Sequence, residues 1–463
     1  MKMSRTVEPD VSASSRRFNL VKLPHSYRHL HFCLLILAAL LLSGCGSSSS
    51  DDGKQGQIRL LNVSAGYDSL DLYVNDGDAA TDTTMFTGVS YETASAYAAL
   101  KADTYSVKFK RNGITGTLKT LTSDTIAKDS HAIYVAYGST GRFAVTKIGE
   151  DETVPDAQKT SVHVLNTSEA GSLDVYLTDE SVALADATPQ VGSLASGGLS
   201  SFVSIDSGTY RLRVTGASDK TDLRLDVSSI ALESKKVVAL VLTATQGGVL
   251  VNGMLVPQQG DLSKTPNTKA RLRGAVGISS GTSVTTSVTT SVGGVSLLTN
   301  AAAGVISSKY SQVTAGSAAV SLRVDGNLVA VANQTLVAGG DYTLLVWDDA
   351  DGTKTTLIDD DNRLPTTSGK SKIRLMNGLS ALGVPATLAV DFSPLAEGVA
   401  VGQASSFTEI DSGSDYQLDV SNTSTSAPLL SKSSVSLQDA GIYTMFMWGG
   451  GATADAGTLR KDR

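Results

Sequence analysis

A segment of about 105 residues recurs four times along the chain, and this repeat constrains the fold more than any other feature. The openings read IRLLNVS at 58–64, VHVLNTS at 162–168, a weaker ARLRG at 270–274 and IRLMNG at 373–378. We number the copies units one to four, and we align their openings on Arg59, His163, Arg271 and Arg374. A repeat of this length has the size of a small domain, so the sequence predicts similar domains in tandem.

Each unit contains stretches of strict apolar–polar alternation, which is the pattern of a half-buried β-strand. In unit one, Leu70, Leu72 and Val74 share one face, while Asp71 points the other way. A second alternating stretch places Phe109 on the inward face of its strand. The composition, rich in Gly, Ser, Thr, Val and Ala, also favours strands.

A later stretch in each unit is almost continuously apolar, which indicates a central strand. Before the last of these, the segment 439–443 resembles the tyrosine corner of immunoglobulin-like sandwiches. Trp347 and Trp448 share a position at the end of this stretch; they either pack at the end of a sandwich, which is favoured, or form an exposed platform. We therefore predict an all-β protein of four tandem immunoglobulin-like β-sandwich domains that follow a cleaved lipoprotein signal peptide.

Polar segments that contain proline separate the units and do not favour close docking of neighbouring domains. We place the sandwich repeats at 57–150, 160–256, 269–362 (divergent) and 372–450. The remaining predicted segments are a signal peptide at 1–44, a flexible tether at 45–56 and a C-terminal tail at 451–463.

An apolar run from Phe32 to Leu42 follows a leader with an excess of basic residues. The run has 11 residues, whereas a membrane-spanning helix needs about 20, so it indicates a secretory signal. Its end, Leu42-Ser43-Gly44-Cys45, resembles the bacterial lipobox. That resemblance implies recognition by signal peptidase at Leu42, Ser43 and Gly44, and attachment of diacylglycerol and palmitate at Cys45.

A Gly and not an Asp follows Cys45. By resemblance to enterobacterial sorting rules, this favours lipid anchoring in the outer membrane of a Gram-negative bacterium. Cys33 would leave with the signal peptide, so the mature chain has no disulfide and no thiol nucleophile. The formal net charge of −7 argues against nucleic acid as a partner, because nucleic-acid binding needs clustered cations.

The R-x-x-N-x-S opening, the L-D-x-Y strand, the G-x-Y hairpin and the late G-x-Y strand occur in the same order along the repeats. In that order they resemble bacterial domain-of-unknown-function family 4397. The resemblance covers most of 56–450 through units one, two and four, whereas unit three lacks the Asn and the mid-unit Tyr. It implies a β-rich, exported and lipid-anchored protein, and it brings no activity.

Histidines are scarce: only His131 and His163 lie outside the leader. We interpret His163 as a surface or cross-strand residue and His131 as an exposed turn residue. A zinc site needs three or four ligands, and a catalytic triad needs a positioned base. We therefore predict no catalytic residue, no metal site and no cofactor.

Acidic turns occur at 75–78 and 348–352 and have oxygen-rich spacing that could hold calcium. Ordinary turn chemistry accounts for the same residues and is favoured. Paired carboxylates for glycoside hydrolysis remain an open alternative.

Tandem copies with so few histidines and no free thiol favour binding over catalysis. We predict a lipid-anchored cell-envelope protein that acts as a structural, adhesive or ligand-binding module and is not an enzyme. Its expected partners are the membrane, through the lipid, and a glycan, polymer or protein ligand. The alternatives are a carbohydrate-directed enzyme that uses carboxylates and a periplasmic accessory factor for envelope assembly. A polar pocket with converging carboxylates in only one copy would favour the enzyme.

Overall fold

The computed structural model describes residues 54–78, 80–278, 281–379, 385–422, 428–449 and 456–463. The predicted signal peptide and the residues Leu42, Ser43, Gly44 and Cys45 lie outside the described residues. The described part of the chain contains no helix with the length and apolarity required for a membrane span.

Unit one contains β1 (Gln55–Asn62), β2 (Ser69–Asn75), β3 (Thr83–Ser90), β4 (Thr93–Ala94), β5 (Ala98–Lys101), β6 (Asp103–Arg111), β7 (Thr117–Ile126), β8 (His131–Tyr137) and β9 (Ala144–Gly149). Unit two contains β10 (Lys159–Asn166), β11 (Leu173–Thr178), a 3₁₀ turn (Leu184–Asp186), β12 (Val191–Leu194), β13 (Val203–Asp206), β14 (Gly208–Gly216), β15 (Asp219–Leu232), β16 (Lys236–Ala244), β17 (Val251–Pro257) and β18 (Ser263–Thr265).

Unit three contains β19 (Lys269–Val276), β20 (Val284–Thr290), β21 (Gly293–Ala301), β22 (Ser311–Thr314), β23 (Gly316–Val324), β24 (Asn327–Val329), β25 (Gln334–Leu336), β26 (Asp341–Asp349) and β27 (Gly352–Asp359). Unit four contains β28 (Lys370–Leu379), β29 (Ala386–Val390), β30 (Ser393–Val399), β31 (Gln403–Ala404), β32 (Thr408–Asp411), β33 (Gly413–Asn422), β34 (Leu430–Leu437), β35 (Ile442–Gly449) and β36 (Ala456–Lys461).

Every unit forms two facing sheets with the same strand order. In unit one the first sheet runs β4-β1-β8-β9, with β5 also on β1, and the second runs β3-β2-β6-β7. In each unit the opening strand pairs in parallel with the late apolar strand, as β1 does with β8 and β28 does with β35. The prediction of four tandem immunoglobulin-like β-sandwiches is confirmed.

The predicted alternation places the core as expected. Leu70, Leu72 and Phe109 are completely buried between the two sheets of unit one. Asp71 points away from this core and is nevertheless buried. Its carboxylate accepts the Gly88 N–H at 2.7 Å and an Asn112 amide hydrogen at 2.9 Å. The Asp of the L-D-x-Y motif therefore braces its own sheet.

The Asn of the opening motif ties the two sheets of its sandwich together. The amide nitrogen of Asn62 donates to the carbonyl oxygens of Tyr67 and Val89, at 3.2 and 3.1 Å, and its oxygen accepts the N–H two residues further on. Asn166 and Asn377 are equally buried and make corresponding bonds. Because buried backbone groups need partners, this side chain replaces strand pairing where the chain crosses between sheets.

The proposed tyrosine corner has the expected hydrogen bond. The hydroxyl oxygen of Tyr443 accepts the Gln438 N–H at 2.9 Å. In unit three, Tyr342 accepts the Val337 N–H at 3.0 Å in the same way. The corner therefore fixes the entry to the late strand in both units.

Strand pairing changes the alignment of unit three. Arg273 lies opposite Thr343 on β26, as Arg374 lies opposite Thr444 on β35. Arg273, and not Arg271, is therefore the counterpart of Arg374. The sequence was ambiguous because unit three carries arginine at two alternate positions of the same strand.

Several strands extend past the predicted repeat boundaries. β1 begins inside the segment assigned to the tether, and β18 adds a strand to unit two after residue 256. β36 pairs with β35, and Asp462 follows it. Residues 456–463 therefore belong to the fourth sandwich and not to a tail.

The sandwiches dock in pairs through the outer faces of their opening sheets. Leu61 and Val135 of unit one share an apolar cluster with Leu165, Val241 and Met254 of unit two. Units three and four share another apolar cluster, whose buried members are Ala275, Leu345, Ile358, Met376 and Phe446. The expectation of undocked domains was wrong, because the continuously apolar strands are buried on both faces.

The two tryptophans make reciprocal contacts in the second of these interfaces. A Cβ atom added to Gly402 would lie 2.1 Å from the Trp347 ring, and one added to Gly304 would lie 2.2 Å from the Trp448 ring. Both rings therefore pack as favoured, although they pack between two sandwiches and not at the end of one.

Candidate ligand-binding cleft

The arginine of the opening motif reaches from one sandwich to its neighbour. In unit four, Arg374 Nε donates to Thr444 Oγ1 at 3.0 Å, and its Nη2 donates to Asp360, which follows the last strand of unit three. Both side chains of this ion pair are almost completely buried. The ring of Phe407 covers the guanidinium at 4.5 Å.

Unit three returns the same contacts. Arg273 Nε donates to Thr343 Oγ1 at 2.8 Å, and its Nη1 donates to Asp462 Oδ1 at 2.6 Å. Asp462 follows the last strand of unit four, and the Tyr310 ring lies 4.6 Å from the Arg273 guanidinium. We name each such set of a motif residue, an aromatic ring and an acid a clamp. The two clamps are reciprocal, since each unit supplies the acid for the other.

The clamp of unit one differs in the source of its acid. Arg59 pairs with Glu150 of its own unit and donates from Nη1 to the Gly260 carbonyl of unit two at 2.7 Å. Tyr97 covers Arg59 at 4.9 Å and donates its hydroxyl hydrogen to Glu150. This buried group is expected to stabilise the docking of unit one on unit two.

In unit two, His163 takes the arginine position and stacks on Phe202, with ring centroids 4.2 Å apart and an interplanar angle of 12°. His163 is only 4% exposed, and burial lowers its pKa to about 4. Of the two interpretations, a surface or a cross-strand residue, the surface one was wrong, because the outer face of its sheet is an interface; His163 lies on β10 opposite Ala239. His131 lies at the start of β8, where its Nδ1 is 2.8 Å from Asp151 Oδ1, so it is a strand residue and not a turn residue.

A serine two or three residues before each aromatic ring fixes the clamp to the opening strand. Its hydroxyl oxygen accepts a backbone N–H from that strand at 2.9–3.1 Å. The pairs are Ser95 with Tyr97, Ser200 with Phe202, Ser307 with Tyr310, and Ser405 with Phe407. Sequence reasoning missed this motif, which recurs as S-x-[YF] in three units.

In the clamps of units three and four, the arginines keep the buried carboxylate of Asp360 ionised. Burial alone would raise the pKa of Asp360, but Arg374 and Arg273 hold that pKa below its usual range. The Asp360 carboxylate also accepts hydroxyl hydrogens from Thr343 at 2.6 Å and Tyr310 at 2.7 Å. A carboxylate with this many donors stays ionised inside the protein.

A cleft of about 640 Å³ opens beside the clamp of unit four. Its walls come from two loops of unit one, from the last strand of unit three with the following linker, and from unit four. The polar and aromatic lining residues are Ser139, Thr140, Asp359, Asp361, Arg363, Thr366, Lys372, Arg374, Gln403, Ser405, Ser406, Phe407 and Glu409. This volume lies in the range of small-ligand sites.

The loop of unit one that follows β8 contacts the linker closely. Arg142 Nε donates to the Pro365 carbonyl at 2.5 Å, and a Cβ atom on Gly141 would lie 2.4 Å from the Thr366 carbonyl oxygen. Gly141 also has a φ of +80°, which favours glycine. Pro365 is buried, so this linker is a fixed wall of the cleft.

The acidic turns contain ordinary turn hydrogen bonds. Gly77 N–H donates to Asn75 Oδ1 at 2.7 Å, and Asp351 N–H donates to Asp349 Oδ1 at 2.9 Å. Lys354 supplies a cation to Asp349. Within the described ranges, no three His, Cys, Asp or Glu side chains cluster closely enough to hold a metal ion.

Comparison with known families identifies the repeats. The family model described as Domain of unknown function (DUF4397) matches residues 56–176 and 274–387, about half of the chain. The chain belongs to this family. The first DUF4397 match spans unit one and the opening of unit two, and the second begins in unit three, although that unit lacks the motif Asn. No curated protein matches this DUF4397 chain.

Three solved structures share local similarity with the DUF4397 chain at low overall superposition. The carbohydrate-binding module CBMbc (family CBM26) from Eubacterium rectale Amy13K, in complex with maltoheptaose, is 17% identical over 44% of this chain and 97% of that one, with a TM-score of 0.14. The Bacillus anthracis TIE protein is 9% identical over 63% and 50%, with a TM-score of 0.15. A candidate cell adhesion protein from Bacteroides uniformis is 14% identical over 67% and 98%, with a TM-score of 0.15.

Proposed function

We propose that this chain is a lipid-anchored cell-envelope protein whose docked sandwiches act as one ligand-binding, adhesive module. The observation that carries this proposal is the cleft, which units one, three and four build together. Such a site exists only while the sandwiches stay docked. The buried clamps join units three and four, and the Arg142–Pro365 hydrogen bond joins unit one to the linker. The role that we propose for this cleft is ligand binding and not catalysis.

In this proposal the lipid is attached to Cys45 and anchors the chain in the outer membrane. Replacing Cys45 with Ala is expected to leave the precursor unprocessed or mislocalised, because the lipid is attached to the thiol. Mass spectrometry of the mature N-terminus and cell fractionation measure this. A mature N-terminus elsewhere, or an unmodified Cys45, contradicts the anchor. Protease shaving of intact cells separates a surface module from a periplasmic accessory factor.

The binding role is tested by filling the cleft. We expect Ser406→Trp to reduce binding of the mature chain to isolated envelope polysaccharide and protein fractions at least tenfold, because Ser406 is exposed and lines the cleft. Phe392→Ala is the matched control, since Phe392 is 83% exposed and lies outside the cleft lining. Equal binding by Ser406→Trp and the parent chain would contradict a ligand site in the cleft.

One observation favours a second candidate, a carbohydrate-directed hydrolase. Asp359, Asp361 and Glu409 all line the same cleft, which is built from units one, three and four together. Glycoside hydrolysis needs one protonated and one ionised carboxyl group. Burial opposes ionisation of Asp361, but Arg363 and Lys372 hold its pKa below its usual range. A carboxyl group with a lowered pKa is poorly suited to act as the general acid, which must be protonated. Release of reducing ends that is lost in Asp359→Asn would establish the hydrolase.

A further inference from the structure

We infer that the cleft binds an uncharged glycan, a conclusion that rests on the proposed function and names its ligand class. Three properties of the lining lead to this class. Its cations are already bound by protein oxygens, its charges balance, and most of its exposed polar groups are neutral hydroxyls and an amide.

All three cations of the cleft are bound by protein oxygens; Arg363, the exposed one, donates from Nε and Nη2 to Asp361. Lys372 Nζ donates to Asp361 Oδ2 at 2.9 Å and to the carbonyl oxygens of Asp361 and Arg363 at 3.0 and 2.9 Å. These bonds use all three hydrogens of its ammonium group. Arg374 donates to Thr444, to the Asp359 carbonyl and to Asp360. An anionic ligand would have to compete with these partners, so the cleft is poorly suited to phosphate or sulfate.

The acids of the cleft do not create a cation site either. Asp361 is held by Lys372 and by Arg363 Nε at 2.8 Å. One Glu409 oxygen accepts the Thr366 N–H at 2.6 Å. The lining contains three acidic and three basic side chains, so it offers a ligand no net charge. The Asp359 carboxylate is exposed at the rim and can accept hydroxyl hydrogens.

Neutral side chains make up most of the exposed polar lining, and the two exposed charged residues, Asp359 and Arg363, have opposite signs. Thr140, Thr366, Gln403 and Ser406 are all exposed, and they come from unit one, the linker and unit four. The half-buried ring of Phe407 adds an apolar surface. Hydroxyl and amide groups around an aromatic ring match the alternating hydroxyls and C–H faces of a sugar chain.

The test measures binding of the mature chain to a neutral glycan array, followed by calorimetry with the best neutral oligosaccharide. N-acetylated chitohexaose, cellohexaose and maltoheptaose are the neutral probes; heparin is the anionic probe and oligolysine the cationic probe. We expect a neutral probe to bind and Gln403→Ala to weaken it about tenfold, the usual effect of one lost hydrogen bond. Phe392→Ala should leave the affinity unchanged.

The outcomes separate the glycan inference from the proposed function. Heparin or oligolysine binding that is lost in Gln403→Ala and Ser406→Trp, without neutral binding, overturns the glycan class and leaves a ligand site in the cleft. Neutral glycan binding that both variants retain overturns the inference, because the sugar then binds elsewhere. If neither a probe nor an envelope fraction responds to either variant, the proposed function falls together with the glycan inference. Thermal unfolding of each variant confirms that it folds.

Discussion

Replacing Asp360 with Ala is expected to lower the free energy of unfolding by about 3–5 kcal/mol, the usual cost of breaking a buried ion pair. The change removes the acceptor of Arg374, Thr343 and Tyr310 in one step. It also removes the carboxylate that lies 3.6 Å from Arg273, so two buried guanidinium groups lose a counter-charge. Denaturant unfolding measures the loss.

A surface ion pair gives the matched control. Asp411 pairs with Lys370 at 2.9 Å but is 76% exposed, so Asp411→Ala should change the stability by less than about 1 kcal/mol. Equal effects of the two alanine variants would contradict the role assigned to the clamp.

Acid titration gives the same clamp an independent readout. The pKa of Asp360 is depressed in the folded protein, so its contribution is complete above the unfolded pKa of about 4. That contribution is lost as the pH falls through the lower folded pKa. Asp360→Ala should therefore flatten the decline in stability at acid pH, and an unchanged acid limb would argue against this assignment.

Replacing Phe109 with Ala is expected to cost about 3–5 kcal/mol in unit one, as large-to-small substitutions in a core do. Phe109 is fully buried and packs edge-on against Tyr134, with ring centroids 5.8 Å apart. Hydrogen exchange of the β6 and β8 amides measures the loss for this unit alone, since unfolding of several sandwiches need not be two-state. Phe392→Ala, at an exposed hairpin tip, should leave exchange unchanged. Equal exchange in both variants would contradict a core role for Phe109.

The fold could be predicted because its signals are local. The alternation of Leu70, Leu72 and Val74 follows from the pleat of one strand, and four aligned copies repeat it. The tyrosine corner at Tyr443 was also recognisable, because its hydroxyl bonds to a residue only five positions earlier. Patterns of this kind depend on neighbours along the chain.

The cleft could not be predicted, since its parts are far apart in sequence. Arg142 contacts Pro365, and Arg273 contacts Asp462, through hydrogen bonds that the apolar–polar periodicity of the sequence does not predict. The polar linker between units three and four suggested an open connection, yet Pro365 within it is buried. Recurrence offered the one available signal, since Glu150, Asp360 and Asp462 each directly follow the last strand of a unit.

The reciprocal clamps make the third and fourth sandwiches indivisible. If either sandwich were expressed alone, its clamp arginine, Arg273 or Arg374, would lack the carboxylate that the missing sandwich supplies. Truncating the chain after residue 455 would likewise remove Asp462, the acid that pairs with Arg273 of the third sandwich. The smallest fragment of this half of the chain that keeps every buried ion pair is thus the pair of docked sandwiches. A longer chain of the same design would be extended by two sandwiches at a time.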